Sequence, residues 1–184
     1  MNGQRHKVFV SYHHDNDQYY RNLFENLFAD HYDIMVSKSV QIGDINSNIS
    51  TETIRQKIRD EYLRDSTVTV VLIGTQTWQR KHVDWEIGSS IRDTEFNPRS
   101  GLLGIFLPTF SSFPLKEINN SNLYTIPPRL YYNWKCGFAK LYNWSQNPNE
   151  VQGWIHEAFE NRNKINPDNS YPSFSNNRSG DNWQ

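Results

Sequence analysis

The sequence predicts an α/β domain in which a parallel sheet carries helices on both faces. Three observations lead there. Short β-branched runs alternate with helical spacing in the order βαβαβαβ, a pattern that right-handed crossovers turn into a parallel sheet. Two of the runs, 68–73 and 102–107, are apolar at nearly every position, as strands covered on both faces are. Finally, 184 residues with 36% apolar and 14% aromatic content suffice for one well-filled core and fall short of two ordinary domains.

The elements follow in order. Lys7-Val8-Phe9-Val10-Ser11-Tyr12 is a β-branched and aromatic run bounded by polar residues, the signature of a buried first strand. After His13-His14-Asp15-Asn16-Asp17, residues Tyr20, Leu23, Phe24, Leu27 and Phe28 share one helical face, with Asp15 or Asp17 as the N-cap. Tyr32 to Val36 forms a second strand, and Ser37 to Ser50 is a polar loop with a Gly43-Asp44 turn, long for a plain connection. Ile54, Ile58 and Tyr62 mark a second helix, and Thr67 to Ile73, ended by Gly74, has the composition of a central strand. Val83, Ile87 and Ile91 recur every four residues in a third helix, followed by the strand Leu102 to Leu107, which Pro108 stops. Residues 109–137 are expected to form an irregular surface excursion. Phe138 to Trp144 supplies an edge strand, and Val151, Trp154, Ile155, Ala158 and Phe159 mark a last amphipathic helix. The domain ends near residue 162, and 163–184 is a polar, loosely held tail.

Composition excludes several functions. The longest apolar run, Val70 to Ile73, is far short of a bilayer span, and no signal-type segment follows the amino terminus. Cys136 is the only cysteine, which removes disulfide frameworks and cysteine-based metal clusters and fits a cytoplasmic protein. A formal net charge of -1 supplies no drive toward nucleic acid. The adjacent His13 and His14 do not converge easily on one ion, so no metal is expected.

In open parallel sheets of the flavodoxin-like order, ligands bind beyond the carboxyl ends of strands 1 and 3. That rule selects the loop opening at Ser11-Tyr12 and the one at Gly74-Thr75-Gln76-Thr77, which runs into the helix bearing Glu86. A phosphoaccepting receiver domain would need a carboxylate at the end of strand 3, where Ile73-Gly74-Thr75 has none. A flavin site would need a small-residue phosphate loop after strand 1, where the chain is bulky and acidic. Taken alone, Glu86 is a solvated helix charge, Thr75 and Thr77 are helix caps, and Arg80 and Lys81 are a solvated pair at a helix N-terminus.

Ser66 to Thr77, followed by Val83-Asp84-Trp85-Glu86-Ile87, closely resembles the TIR-like proteins of the bacterial Thoeris anti-phage system, and Lys7 to Tyr12 resembles the opening strand of TIR domains. The resemblance covers about residues 7–160. It implies an enzyme that cleaves the nicotinamide ribosyl bond of NAD⁺ and makes a cyclic or modified ADP-ribose signal for a separate effector. It also implies self-association and a phage-derived trigger, with NAD⁺ as substrate and no further cofactor. Glu86 aligns with the essential glutamate, and Ser11, Tyr12, Gly74, Thr75, Thr77 and His82 are the expected substrate-binding residues. One position departs: many enzymatic TIR domains carry tryptophan four residues before the glutamate, where this chain has His82, on the same helical face. A non-catalytic interaction module and a nucleoside deoxyribosyltransferase-like enzyme are the alternatives.

Overall fold

The computed structural model describes residues 4–38, 50–119 and 122–184. Five strands, β1 (His6–Ser11), β2 (Met35–Ser37), β3 (Val68–Ile73), β4 (Gly101–Phe106) and β5 (Ala139–Asn143), form one sheet in the order β2-β1-β3-β4-β5. Every neighbouring pair is parallel. This is the flavodoxin-like order, and the chain reverses its winding at β1 and β3.

Side-chain parity sorts the core into two layers. Val8, Val10, Val68, Val70, Leu72, Leu103 and Ile105 point to one face, which α1 (Gln18–Glu25), its wider-wound continuation Asn26–His31 and α5 (Pro148–Lys164) cover with Phe24, Phe28, Val151, Ile155 and Ala158. Val71, Ile73, Leu102 and Phe106 point to the other, covered by α3 (Lys81–Ser90) and α4 (Pro128–Lys135) through Val83, Ile87, Ile91 and Leu130. Phe9 shares that second face and packs with Ile54 and Ile58 of α2 (Thr51–Lys57) and its wider-wound continuation to Tyr62, and with Trp85. Parity therefore directs Ser11, two residues after Phe9, toward α3.

Helix α5 is the best-determined by its own sequence. Asn147 caps it by accepting from the Asn149 N–H at 3.0 Å, Pro148 occupies the first turn, and Arg162 and Lys164 sit in the last. It presses directly on β4, where a Cβ on Gly101 would lie 2.0 Å from the Ala158 carbonyl oxygen, so only glycine fits there.

Two expectations need correction. The 109–137 excursion contains the eight-residue helix α4, whose stripe is masked by buried polar residues, Arg129 and Asn133. The polar tail is not loose. Asn169 Oδ1 accepts from Arg129, Phe174 is buried, the Trp85 indole donates to the Phe174 carbonyl at 2.9 Å, and Trp183 donates to the Ile126 carbonyl at 2.7 Å. A segment without a period is held by individual hydrogen bonds to α3, α4 and the loops beside them. The Ser37 to Ser50 loop, apart from its ends, lies outside the described residues.

Candidate functional site

β1 and β3 lie side by side and parallel with Ser11 opposite Val71, so their carboxyl ends lie at the same end of the sheet, and α3 packs against β1 there. Ser11 is fully buried, and its hydroxyl donates to Glu86 Oε2 at 2.5 Å. Glu86 is only 2% exposed, and this hydroxyl is its hydrogen-bond partner. Burial pushes its carboxyl up to about 8, against the opposing pull of the Ser11 hydroxyl. The bare-helix expectation of a solvated charge fails because every residue of α3 from Val83 to Ser90 is buried, enclosed by the sheet, its neighbouring helices and the tail.

His82, one turn earlier, is half-buried and bonds to the Tyr12 carbonyl at 3.0 Å. A carbonyl only accepts, so Nε2 carries the proton. Burial lowers this imidazole to about 4, leaving it neutral at physiological pH. Its ring lies 4.3 Å from that of His14, which in turn lies 4.7 Å from Tyr12. The Tyr12 hydroxyl donates to Gln18 Oε1 at 2.7 Å. His13 is buried and accepts from Arg80 Nε at 2.5 Å. Burial first, and the Arg80 cation second, lower its pKa, so it too is neutral. Burial lowers His14 as well. Tyr12, His14 and His82 thus make an aromatic, uncharged cluster that starts one helical turn before Glu86, with His13 and Arg80 next to it.

Gly74, Thr75 and Thr77 lie at the end of β3, and two of them have internal work. The Gly74 N–H donates to the Thr77 hydroxyl oxygen at 2.8 Å, and Thr77 is fully buried. A Cβ on Gly74 would come within 2.4 Å of Asp17 Oδ2, so glycine is what allows the two loops to touch. Asp17 is 2% exposed, and burial raises its pKa, partly offset by hydrogen bonds from Thr109 and Thr77. It stands at the N-cap position of α1 without making a side-chain cap, and holds the strand-end loops together instead. Thr75 is exposed and donates to the Thr109 carbonyl at 2.7 Å.

The helix N-terminus with Arg80 and Lys81 is not a solvated pair. Arg80 engages His13, and the Lys81 ammonium lies 4.7 Å from the Trp85 ring centroid. The Lys81 N–H donates to Asn177 Oδ1 at 2.9 Å, so a tail residue satisfies one of the free amides of α3. Sequence reasoning had no signal for this cap, which comes from 96 positions away. Further along the same helix, Asp84 is paired with Arg129 at 3.0 Å, both side chains being buried, and accepts from the Phe174 N–H at 3.0 Å.

Residues 9–112 match the family model of the Thoeris protein ThsB, TIR-like domain. That span is more than half of the 184-residue chain. The chain belongs to this TIR-like family of Thoeris defence. The match contains Ser11, the β3 turn, His82 and Glu86, whereas α4, β5, α5 and the strapping tail lie beyond it. No curated protein matches the chain. Among the described residues no cluster of His, Cys, Asp and Glu is arranged for a metal ion, and no helix is long and apolar enough to cross a membrane.

Proposed function

We propose that this Thoeris TIR-like domain cleaves NAD⁺ at the nicotinamide ribosyl bond, with Glu86 as the catalytic carboxylate. The observation that supports the reading most directly is a buried glutamate at the switch point whose hydrogen-bond partner is a serine hydroxyl rather than a cation. Such a group is expensive to ionise in the resting protein and becomes useful once positive charge arrives.

NAD⁺ brings that charge. Its nicotinamide is cationic and leaves as a neutral base, so the reaction needs no general acid. A single carboxylate suffices to stabilise the oxocarbenium-like transition state. In the resting chain Glu86 is mostly protonated at neutral pH, given a value of about 8. The nicotinamide ribosyl cation lowers this value on binding, the proton passes to water, and the carboxylate opposes the charge developing on C1. Ser11 holds the carboxylate in place. The neutral side chains of His13, His14, His82 and Tyr12 support the same role, because imidazolium groups there would repel the nicotinamide cation and the charge developing on C1. Capture of C1 by water gives ADP-ribose and nicotinamide; capture by a group of the same molecule gives a cyclic product. That product is the signal for a separate effector, and self-association of TIR domains excludes water from the site.

A non-catalytic interaction module is the second reading, favoured by the near-complete enclosure of Glu86. Mass spectrometry after incubation of the protein with NAD⁺, with and without lysate from phage-infected cells, separates the two. Nicotinamide with ADP-ribose or its cyclic isomer is the expected result, with specific activity rising with protein concentration. Intact NAD⁺ under all conditions would refute the enzymatic reading.

A further inference from the structure

At the opposite end of the sheet, before the amino ends of β1, β3 and β4, lies a cleft of about 390 Å³ whose lining includes Lys7, Arg59, Asp65, Phe96, Phe159 and Arg162. It shares no residue with the Glu86 site, and its volume is within the range of small-molecule sites.

Its electrostatics are unbalanced. Arg59 is 1% exposed, and among the described residues its guanidinium bonds to uncharged acceptors: the Leu63 and Pro98 carbonyls and the Ser66 and Ser100 hydroxyls. Its Nε is buried without a partner, and so is the Nε of Arg162. Burial lowers Arg59 to about 10 and also lowers Arg162, against the opposing pull of Asp60, Asp93 and Asp65 on Arg59 and of Glu160 and Asp93 on Arg162. Lys7 adds an exposed ammonium, and Asp65 is the carboxylate of the lining; Arg5, also at the cleft, is occupied by Asp33. A buried guanidinium with no carboxylate in hydrogen-bond contact among the described residues is costly, and an anion in the cleft offsets part of that cost. The cleft also carries flat apolar surface. Phe96 is 73% exposed at its edge, and the Phe159 ring stacks on His6 at 4.3 Å.

We propose that this cleft is a second ligand site, for a phosphorylated molecule with a planar ring, of mononucleotide size. The phosphate is met by the exposed Lys7 ammonium and the partly exposed Arg162 guanidinium, with the charge of buried Arg59 behind them, and the ring stacks on Phe96. Charge-assisted bonds from an ammonium and a guanidinium favour phosphate, and an exposed aromatic beside a cationic pocket favours a base. The site is independent of the Glu86 reaction, so neither reading depends on the other.

The test is calorimetric titration of the full chain with AMP, adenosine and inorganic phosphate. AMP is expected to bind saturably with a Kd of about 1 mM or tighter, and adenosine at least about tenfold more weakly. Arg162→Gln and Lys7→Glu should each weaken AMP by about tenfold, and Phe96→Ala by at least about fivefold. Lys7 and Phe96 are exposed, so those two variants probe the cleft with little risk to the fold. Glu86→Gln should bind AMP as the parent does. No saturable AMP binding, or AMP binding that Glu86→Gln abolishes while Lys7→Glu and Phe96→Ala leave it unchanged, would overturn the proposal.

Discussion

Asp84 and Glu86 stand two residues apart on one helix, each 2% exposed, in opposite electrostatic circumstances. Asp84 faces a buried guanidinium, that of Arg129, and accepts the Phe174 N–H. Arg129 in turn reaches Asn169 Oδ1 at 2.6 Å and the Tyr171 carbonyl at 2.7 Å. Every group in that network has a partner, and the network ties α3, α4 and the tail together. Glu86 has a serine hydroxyl and is pushed up to about 8 by burial. Burial alone therefore does not mark function. A buried acid with a matched cation holds the fold, and one without it stores a cost that a cationic ligand relieves.

The largest effect expected from breaking this contrast is on stability at Asp84. Asp84→Ala leaves Arg129 buried and unpaired and should cost about 3–5 kcal/mol in denaturant unfolding. A loss below about 1 kcal/mol would mean that the pair contributes little.

Glu86→Gln should act in the other direction. The folded chain keeps the Glu86 proton up to about pH 8, whereas the unfolded chain releases it near 4.5. The stability this confers is complete below pH 4.5 and is lost as pH rises through 8, with a limiting slope of about 1.4 kcal/mol per pH unit. Unfolding of the wild type and of Glu86→Gln across pH 5–9 should therefore show the variant gaining relative stability toward high pH. Parallel curves would contradict the shifted carboxyl.

The smallest effect concerns the aromatic cluster. His82 gains its proton near 6.5 when unfolded but only at about 4 when folded, so its contribution is present above pH 6.5 and declines as pH falls toward 4. His82→Gln keeps a donor for the Tyr12 carbonyl and removes the titration. It should flatten the acid limb of the stability curve by about 2 kcal/mol at pH 5. An unchanged acid limb would show that His82 is not held neutral.

How far the sequence revealed all this differs from element to element. The sheet was legible because Val68 to Ile73 and Leu102 to Leu107 are apolar at nearly every position, and the switch-point rule placed Ser11 at the end of β1; that Ser11 meets Glu86 needed the structure. The burial of Glu86 was not legible from periodicity, because part of what covers α3 is the tail, whose grip consists of single bonds from Asn169, Asn177 and the Phe174 backbone. Such bonds leave no repeat to detect. Helix α4 escaped for a related reason: Arg129 and Asn133 read as solvent-facing, yet both are buried, Arg129 against Asp84 and Asn133 donating to the Asp168 carbonyl at 2.7 Å. Gly74 and Thr77 were placed correctly at the end of β3, but their clearest contacts, with Asp17 and with each other, needed the loop geometry.

The central claim is that the carboxyl of Glu86, held by Ser11 and met by no cation among the described residues, performs the chemistry. It is tested most directly by measuring nicotinamide release from NAD⁺ by the wild type and by Glu86→Gln, side by side in lysate from phage-infected cells, with folding of both checked by thermal unfolding. The account predicts release by the wild type and a loss of at least about 10²-fold in a variant that is folded and at least as stable at pH 8. Equal release by the two proteins would show that Glu86 is not the catalytic group, and no release by either would show that the domain is not an NAD⁺-cleaving enzyme.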